Sequence, residues 1–140
     1  MSLNFPGIIK GPETLVAAAA PQALTANWVD LGDEQYVAGA RRAGLWLTLD
    51  INDSTDARVR CLAKHESAGA EEYTLSIRTV GASDVKLEPE YFEFNVDEDC
   101  LMLLSVDLDG LVPYVQFQVQ AGVVGATAGQ IDAAYLTTAH

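Results

Sequence analysis

The 140-residue sequence predicts an all-β fold, an antiparallel β-sandwich or jelly roll with an extended N-terminal arm. Three observations predict it. Apolar and polar residues alternate with a period of two in segment after segment, the pattern of strands with one buried face. Turn residues separate those segments at the intervals of about 8–12 residues usual in sandwiches and barrels. Helical periodicity is weak throughout, and the best helix-forming run, Ala17-Ala18-Ala19-Ala20, is short and stopped by Pro21.

Residues 1–12 read as the arm. Phe5-Pro6-Gly7 and Gly11-Pro12 are breakers, and Leu3, Phe5, Ile8 and Ile9 make the segment apolar. Such a segment is poorly suited to a free tail in water and is expected to pack on its own domain or on a neighbour. A single domain is expected over residues 13–140, a length that buries a core without staples.

Residues 13–20 are a first strand candidate, closed by Pro21, and residues 27–31 a short second one. Residues 43–51 alternate strictly, with Leu45, Leu47, Leu49 and Ile51 on one face and Trp46, Thr48 and Asp50 on the other. Residues 52–56 read as a hairpin loop. Residues 57–65 would return antiparallel to 43–51, with Val59, Cys61 and Ala63 inward and Arg58, Arg60 and Lys64 outward. Further strands are expected at 72–78, 85–87, 91–96, 101–108, 113–121 and 131–138. The 101–108 segment is apolar on both faces at its start, as in a central strand. In 113–121, Val115, Phe117, Val119 and Ala121 oppose Gln116, Gln118 and Gln120; the glutamine face is either a subunit contact or a solvent face. Residues 122–129 are a Gly/Ala-rich connection.

Composition narrows the function. Hydrophobic residues at 49% and charged residues at 20% describe a globular chain. Twenty acids against eight bases give a net charge of −12, which argues against nucleic acid and against an anionic membrane surface as partners. No apolar run approaches the ~20 residues of a membrane span. The opening lacks a basic stretch followed by a long apolar one, so the product is expected to be made and folded in a cytoplasm.

The residues that carry chemistry are sparse. Histidine occurs at 65 and 140, and only His65, beside Glu66 and Ser67, is placed within the chain to serve a nucleophile; a strand-end histidine facing solvent is the competing reading. Neither a Gly-x-Ser-x-Gly elbow nor a His-Glu-x-x-His helix is present. Zinc is not supported, since Cys61 and Cys100 are isolated from histidine at ligand spacing. Both cysteines read as small buried hydrophobes, and one disulfide between them is compatible with the sequence but not required by it. Asp50, Asn52, Ser54 and Asp56 alternate like the start of an EF-hand loop. The sixth position is Thr55 instead of Gly and the twelfth is Cys61 instead of Glu, which leaves a solvated loop as the alternative to calcium. A second acidic cluster, Asp97-Glu98-Asp99, lies in a turn. No catalytic set, metal or cofactor is therefore expected. If the leucine stripe of 43–51 is core, Trp46 points outward, as an interface residue or as part of a strand covered on both sides.

The order of motifs resembles a known group. An arm leads to Glu13-Thr14-Leu15-Val16-Ala17-Ala18-Ala19-Ala20; Asp30-Leu31-Gly32 follows, then Gly44-Leu45-Trp46-Leu47-Thr48-Leu49-Asp50, and near the end Pro113-Tyr114-Val115-Gln116-Phe117 and Ala134-Tyr135-Leu136-Thr137. This resembles the jelly-roll head decoration, or capsid cement, proteins of tailed bacteriophages, over about residues 13–138. The resemblance implies a structural protein without catalytic residues. Its partners would be the major capsid protein and other copies of itself, commonly in a trimer, and its place the capsid surface of the virion. Leu3, Phe5, Ile8, Ile9 and Trp46 are the expected partner contacts. The alternative is a carbohydrate- or receptor-binding β-sandwich of a phage tail or fibre, with an exposed aromatic platform that includes Trp46 or Tyr114.

Overall fold

The computed structural model describes residues 9–50, 57–75, 77–79, 91–94, 100–121 and 129–140. Leu3, Phe5, Ile8, the expected strand at 85–87, Asn52, Ser54 and Asp56 of the calcium-like loop, and the 97–99 acidic cluster lie outside the described residues.

Two antiparallel sheets pack face to face, and no helix occurs among the described residues. The strands are β1 (Ile9–Val16), β2 (Gln22–Ala23), β3 (Val29–Asp30), β4 (Gln35–Tyr36), β5 (Arg42–Asp50), β6 (Ala57–Lys64), β7 (Tyr73–Leu75), β8 (Ile77–Thr79), β9 (Phe92–Phe94), β10 (Cys100–Asp107), β11 (Tyr114–Ala121) and β12 (Gln130–Ala139). The first sheet runs β1-β12-β5-β10-β8, with β2 beside β12. The second runs β3-β11-β6-β7, with β4 on β11 and β9 on β6. Numbered along the chain, the principal strands β1, β3, β5, β6, β7, β10, β11 and β12 are ordered 1-8-3-6 and 2-7-4-5. That interleaving is a jelly roll, as the sequence predicts.

Alternation builds the core between the sheets. Leu45, Leu47 and Leu49 of β5 are fully buried, and Val59 and Cys61 of β6 and Val115, Phe117 and Val119 of β11 meet them from the other side. At about 25 cal/mol per Å² of apolar surface, this continuous stripe is the main force holding the sheets together. Cys61 is a free thiol, and burial pushes its pKa up.

Four expectations are corrected. First, 43–51 and 57–65 are not a hairpin: β5 lies in the first sheet and β6 in the second. Each carries one apolar face, and two such faces are buried together by opposing them across the core. Second, the 72–78 segment is divided, with β7 pairing β6 and β8 pairing β10 in the other sheet. Third, residues 17–20 form a turn in which the Ala20 amide donates to the Ala17 carbonyl at 2.9 Å. Four exposed alanines offer too little apolar area to hold a strand on the core. Fourth, among the described residues pairing is already present at Ile9, ahead of Glu13, because the edge of β12 accepts Ile9 opposite Ala139 and Lys10 opposite Thr138. The ladder breaks at Gly11-Pro12, a break that blunts an exposed sheet edge.

The Asp30-Leu31-Gly32 turn is fixed by sterics. Leu31 is fully buried, and its amide donates to the Phe117 carbonyl at 2.8 Å. Gly32 has φ +69°, and a Cβ there would sit 2.6 Å from the Leu15 carbonyl oxygen and 2.9 Å from its Cα. Gly32→Ala is expected to cost about 2–4 kcal/mol, from the left-handed backbone and the overlap with β1 together. Urea unfolding checks this; a loss below about 0.5 kcal/mol, the range of neutral surface changes, would refute it.

Candidate functional site

The outer face of the first sheet is apolar along its middle rows, with Arg42 opposite Asp107 at one end. Cross-strand register sets Tyr135, Trp46 and Leu103 in one row, Ala133, Thr48 and Leu101 in the next, and Thr137, Gly44 and Ser105 on the other side of the first. Trp46 is 37% exposed and Leu101 67%. The indole is pinned: its Nε1 donates to Thr137 Oγ1 at 3.2 Å, and that hydroxyl donates to the Gly44 carbonyl at 3.4 Å. Gly44 makes the arrangement possible, since a Cβ there would lie 2.8 Å from Thr137 Oγ1 and 3.3 Å from Leu103. A hollow of about 330 Å³ is lined, among the described residues, by Pro12, Trp46, Leu101, Tyr135 and Thr137, none of them charged. A second, of about 230 Å³, reaches from Trp46 and Leu103 to Ile9 and Arg42.

Of the expected partner contacts, the structure brings Ile9 and Trp46 to one hollow. Ile9 is 70% exposed, at the end of β1 nearest residues 1–8. Trp46 points outward, opposite a fully buried leucine stripe. Leu101, Tyr135 and Pro12 were not anticipated. For Tyr135 the reason is a register shift between Ile131 and Ala133. Strict alternation from Ile131 would place Tyr135 in the core. The bulge reverses the parity, so that Ala134 and Leu136 are buried and Tyr135 joins the outer row.

The outer face of the second sheet is polar and aromatic. Gln118 Oε1 accepts from the Arg60 guanidinium, and Gln118 Nε2 donates to Asp30 Oδ1 at 2.8 Å. Arg58 Nη1 donates to Gln120 Oε1 at 3.3 Å, and Gln120 Nε2 donates to the Ala26 carbonyl at 2.8 Å. Gln116 is buried, its amide donating to the Gly32 and Phe117 carbonyls. The glutamine row thus ties β11 to its neighbours instead of standing free in solvent.

At one end of the sandwich, a groove of about 470 Å³ is lined by Leu75, Tyr73, Leu111 and Pro113, with Glu71, Glu72, Asp107 and Asp109 on its rim. His65 borders it, strongly exposed, with Nε2 4.0 Å from Glu66 Oε1, beyond hydrogen-bond reach. Nearby, Glu34 accepts from the Ala68 amide at 3.0 Å and pairs with Lys64 at 3.4 Å. The Ala68 hydrogen bond, with smaller help from Ser67 and Lys64, holds its carboxyl below the usual range. Among the described residues, no group of three or more His, Cys, Asp or Glu is placed to hold a metal ion, and no helix is long and apolar enough to cross a membrane.

No protein-family profile matches the sequence, and no curated protein matches it. A likeness exists among solved structures. The crystal structure of SPBc2 prophage-derived protein YomS superposes with a TM-score of 0.57 at 18% identity, over 100% of this chain and 99% of that one. At that identity the likeness is one of architecture, a shared β-sandwich fold.

Proposed function

We propose that this is a phage structural protein that decorates and cements the capsid, docking on the major capsid protein lattice as a homo-oligomer, with a trimer favoured. It would be made in the host cytoplasm and reside on the virion surface. The apolar outer face around Trp46 carries this reading. A patch with an aromatic centre, an exposed leucine and, among the described residues, an uncharged hollow has the composition of an interface core. Ile9 continues it to the start of the described residues, and the preceding sequence holds the further apolar residues Leu3, Phe5 and Ile8. The full-length architectural likeness to a prophage-derived protein supports a phage setting. The net charge of −12 would keep free copies apart until they dock, and symmetric repetition would multiply weak contacts by avidity. The alternative, a sugar-binding platform at Trp46 or Tyr114, fits less well. The Trp46 hollow is poor in the polar groups that hydroxyls need, and Tyr114 is half-buried against Tyr36 at 5.2 Å.

Mass measurement of the purified protein and imaging of heads from the encoding phage test the reading. A homo-oligomer occupying regular lattice positions is expected; a strict monomer absent from heads overturns it. Deletion of residues 1–8 is expected to weaken attachment by about tenfold or more, the loss of one or two apolar anchors. The deletion stops at 8 because residues 9–12 belong to β1. Unchanged occupancy would remove the arm from the interface.

A further inference from the structure

On the outer face of the second sheet, a hollow of about 460 Å³ is lined by Trp28, Arg58, Arg60, Thr74, Tyr91 and Gln120. Two of the eight basic residues of a strongly acidic chain meet two aromatic rings there. Arg60 is held on two sides. Its guanidinium lies over the Trp28 ring, 4.5 Å from the centroid, and its Nε and Nη2 both donate to Gln118 Oε1. The direct hydrogen-bond partner is a neutral amide, and the Asp30 carboxylate is held one step away, on Gln118 Nε2, so the charge is positioned without a direct ion pair. Gln118 takes the Nε/Nη2 edge of the fork, and the second edge, formed by Nη1 and Nη2, can also grip a carboxylate with two parallel hydrogen bonds. Arg58 lies 5.1 Å from the Tyr91 ring, and the backbone register sets Glu93 opposite it on β9; the inference therefore rests on Arg60.

The surroundings narrow the ligand. A polyanion with a charge every few ångströms would be drawn across a surface of net charge −12, so a nucleic acid is disfavoured. A ligand with one negative charge and a neutral polar body avoids that repulsion. Thr74 offers a hydroxyl, Gln120 keeps a second N–H and a second lone pair beyond its bonds to Ala26 and Arg58, and the Trp28 and Tyr91 rings, with centroids 6.0 Å apart and an arginine over each, line the cavity with apolar surface. That mixture suits a polyhydroxyl ring, and the volume suits a ligand of one or two sugar units. We infer that this cavity binds a saccharide bearing a single carboxylate, which Arg60 grips by its open edge while the sugar rests against Trp28, Tyr91 and Thr74. The site lies on the opposite sheet from the Trp46 face and stands whether or not that face docks on a capsid.

Titration of the full chain with sialyllactose, followed by tryptophan fluorescence, tests the inference, with lactose and N-acetylglutamate as controls. Saturable change with sialyllactose is expected, with both controls at least about tenfold weaker, a difference of about 1.4 kcal/mol. Trp28→Phe should remove the optical signal, and Arg60→Gln should weaken binding about tenfold or more, as loss of a charge-assisted pair does. The same Arg-Trp-Gln array also ties β3, β11 and β6 together, so Arg60→Gln is read beside Thr74→Val. The latter removes one hydroxyl at the cavity and is expected to weaken sialyllactose several-fold with an unchanged melting temperature. No saturable response to sialyllactose, equal binding of lactose, or wild-type affinity in both variants overturns the carboxylate-sugar assignment. Equal affinity for N-acetylglutamate assigns the site to a carboxylate alone and overturns the saccharide.

Discussion

Phe117→Ala is expected to destabilise the fold by about 3–5 kcal/mol, roughly a fifth or more of the stability of an ordinary domain. Phe117 is 1% exposed and is among the largest fully buried side chains. It sits on β11, which pairs with β3, β4 and β6, so a cavity there loosens the centre of the second sheet. Its carbonyl also accepts from the Leu31 amide and from Gln116 Nε2, which couples the ring to the Asp30-Leu31-Gly32 turn and to the glutamine row. Phe117→Leu, which keeps much of the volume, should cost less than half as much. Urea unfolding of the two variants measures the difference. A Phe117→Ala loss below about 1 kcal/mol, well under the usual cost of truncating a buried aromatic, would mean that the core is centred elsewhere.

Which residues face the core was legible in the sequence, and which sheet they face it from was not. The leucines of β5, Ala57, Val59 and Cys61 of β6, and Val115, Phe117, Val119 and Ala121 of β11 are buried as their period of two requires, whereas at the end of β6 Leu62 is buried and Ala63, expected inward, is half-buried at the end groove. Alternation, however, says only that a strand has an inside. It does not distinguish a neighbour in the same sheet from a partner across the core, and so β5 and β6 read as a hairpin when they oppose one another. The strands β2 and β4, two residues each, are too short to show any period and exist because β12 and β11 offer free edges. The candidate site was legible in part. Trp46 stands out because it interrupts nothing: the leucine stripe on the other side of β5 fixes its direction. Tyr135 was hidden by a bulge, and Leu101 by a run of apolar residues that satisfies a central strand equally well. The Arg60–Trp28 pair joins residues 32 positions apart on β6 and beside β3, a juxtaposition that only the sheet order creates.

The outer face gives the second large effect. Trp46→Ser combined with Leu101→Ser is expected to lower attachment to heads by at least about 100-fold, since buried aromatic and aliphatic anchors at an interface centre contribute about 2 kcal/mol or more each. The fold should survive the change. Leu101 is 67% exposed and gives up little on truncation, while Trp46, 37% exposed, loses its hydrogen bond to Thr137 and the apolar area it covers, about 2–4 kcal/mol together, below the roughly 5–15 kcal/mol of an ordinary domain. This asymmetry separates a docking face from a merely apolar one. A folding defect would show in the melting curve before it showed in occupancy, and docking loss would show in the reverse order. Leu111→Ser is the matched control. Leu111 is the more exposed leucine, at 84%, but it lines the end groove and not the sheet face. If Leu111→Ser removes the protein from heads while the Trp46/Leu101 pair leaves it in place, attachment runs through the acid-rimmed groove, and the partner must then present a basic apolar segment in place of a flat apolar surface.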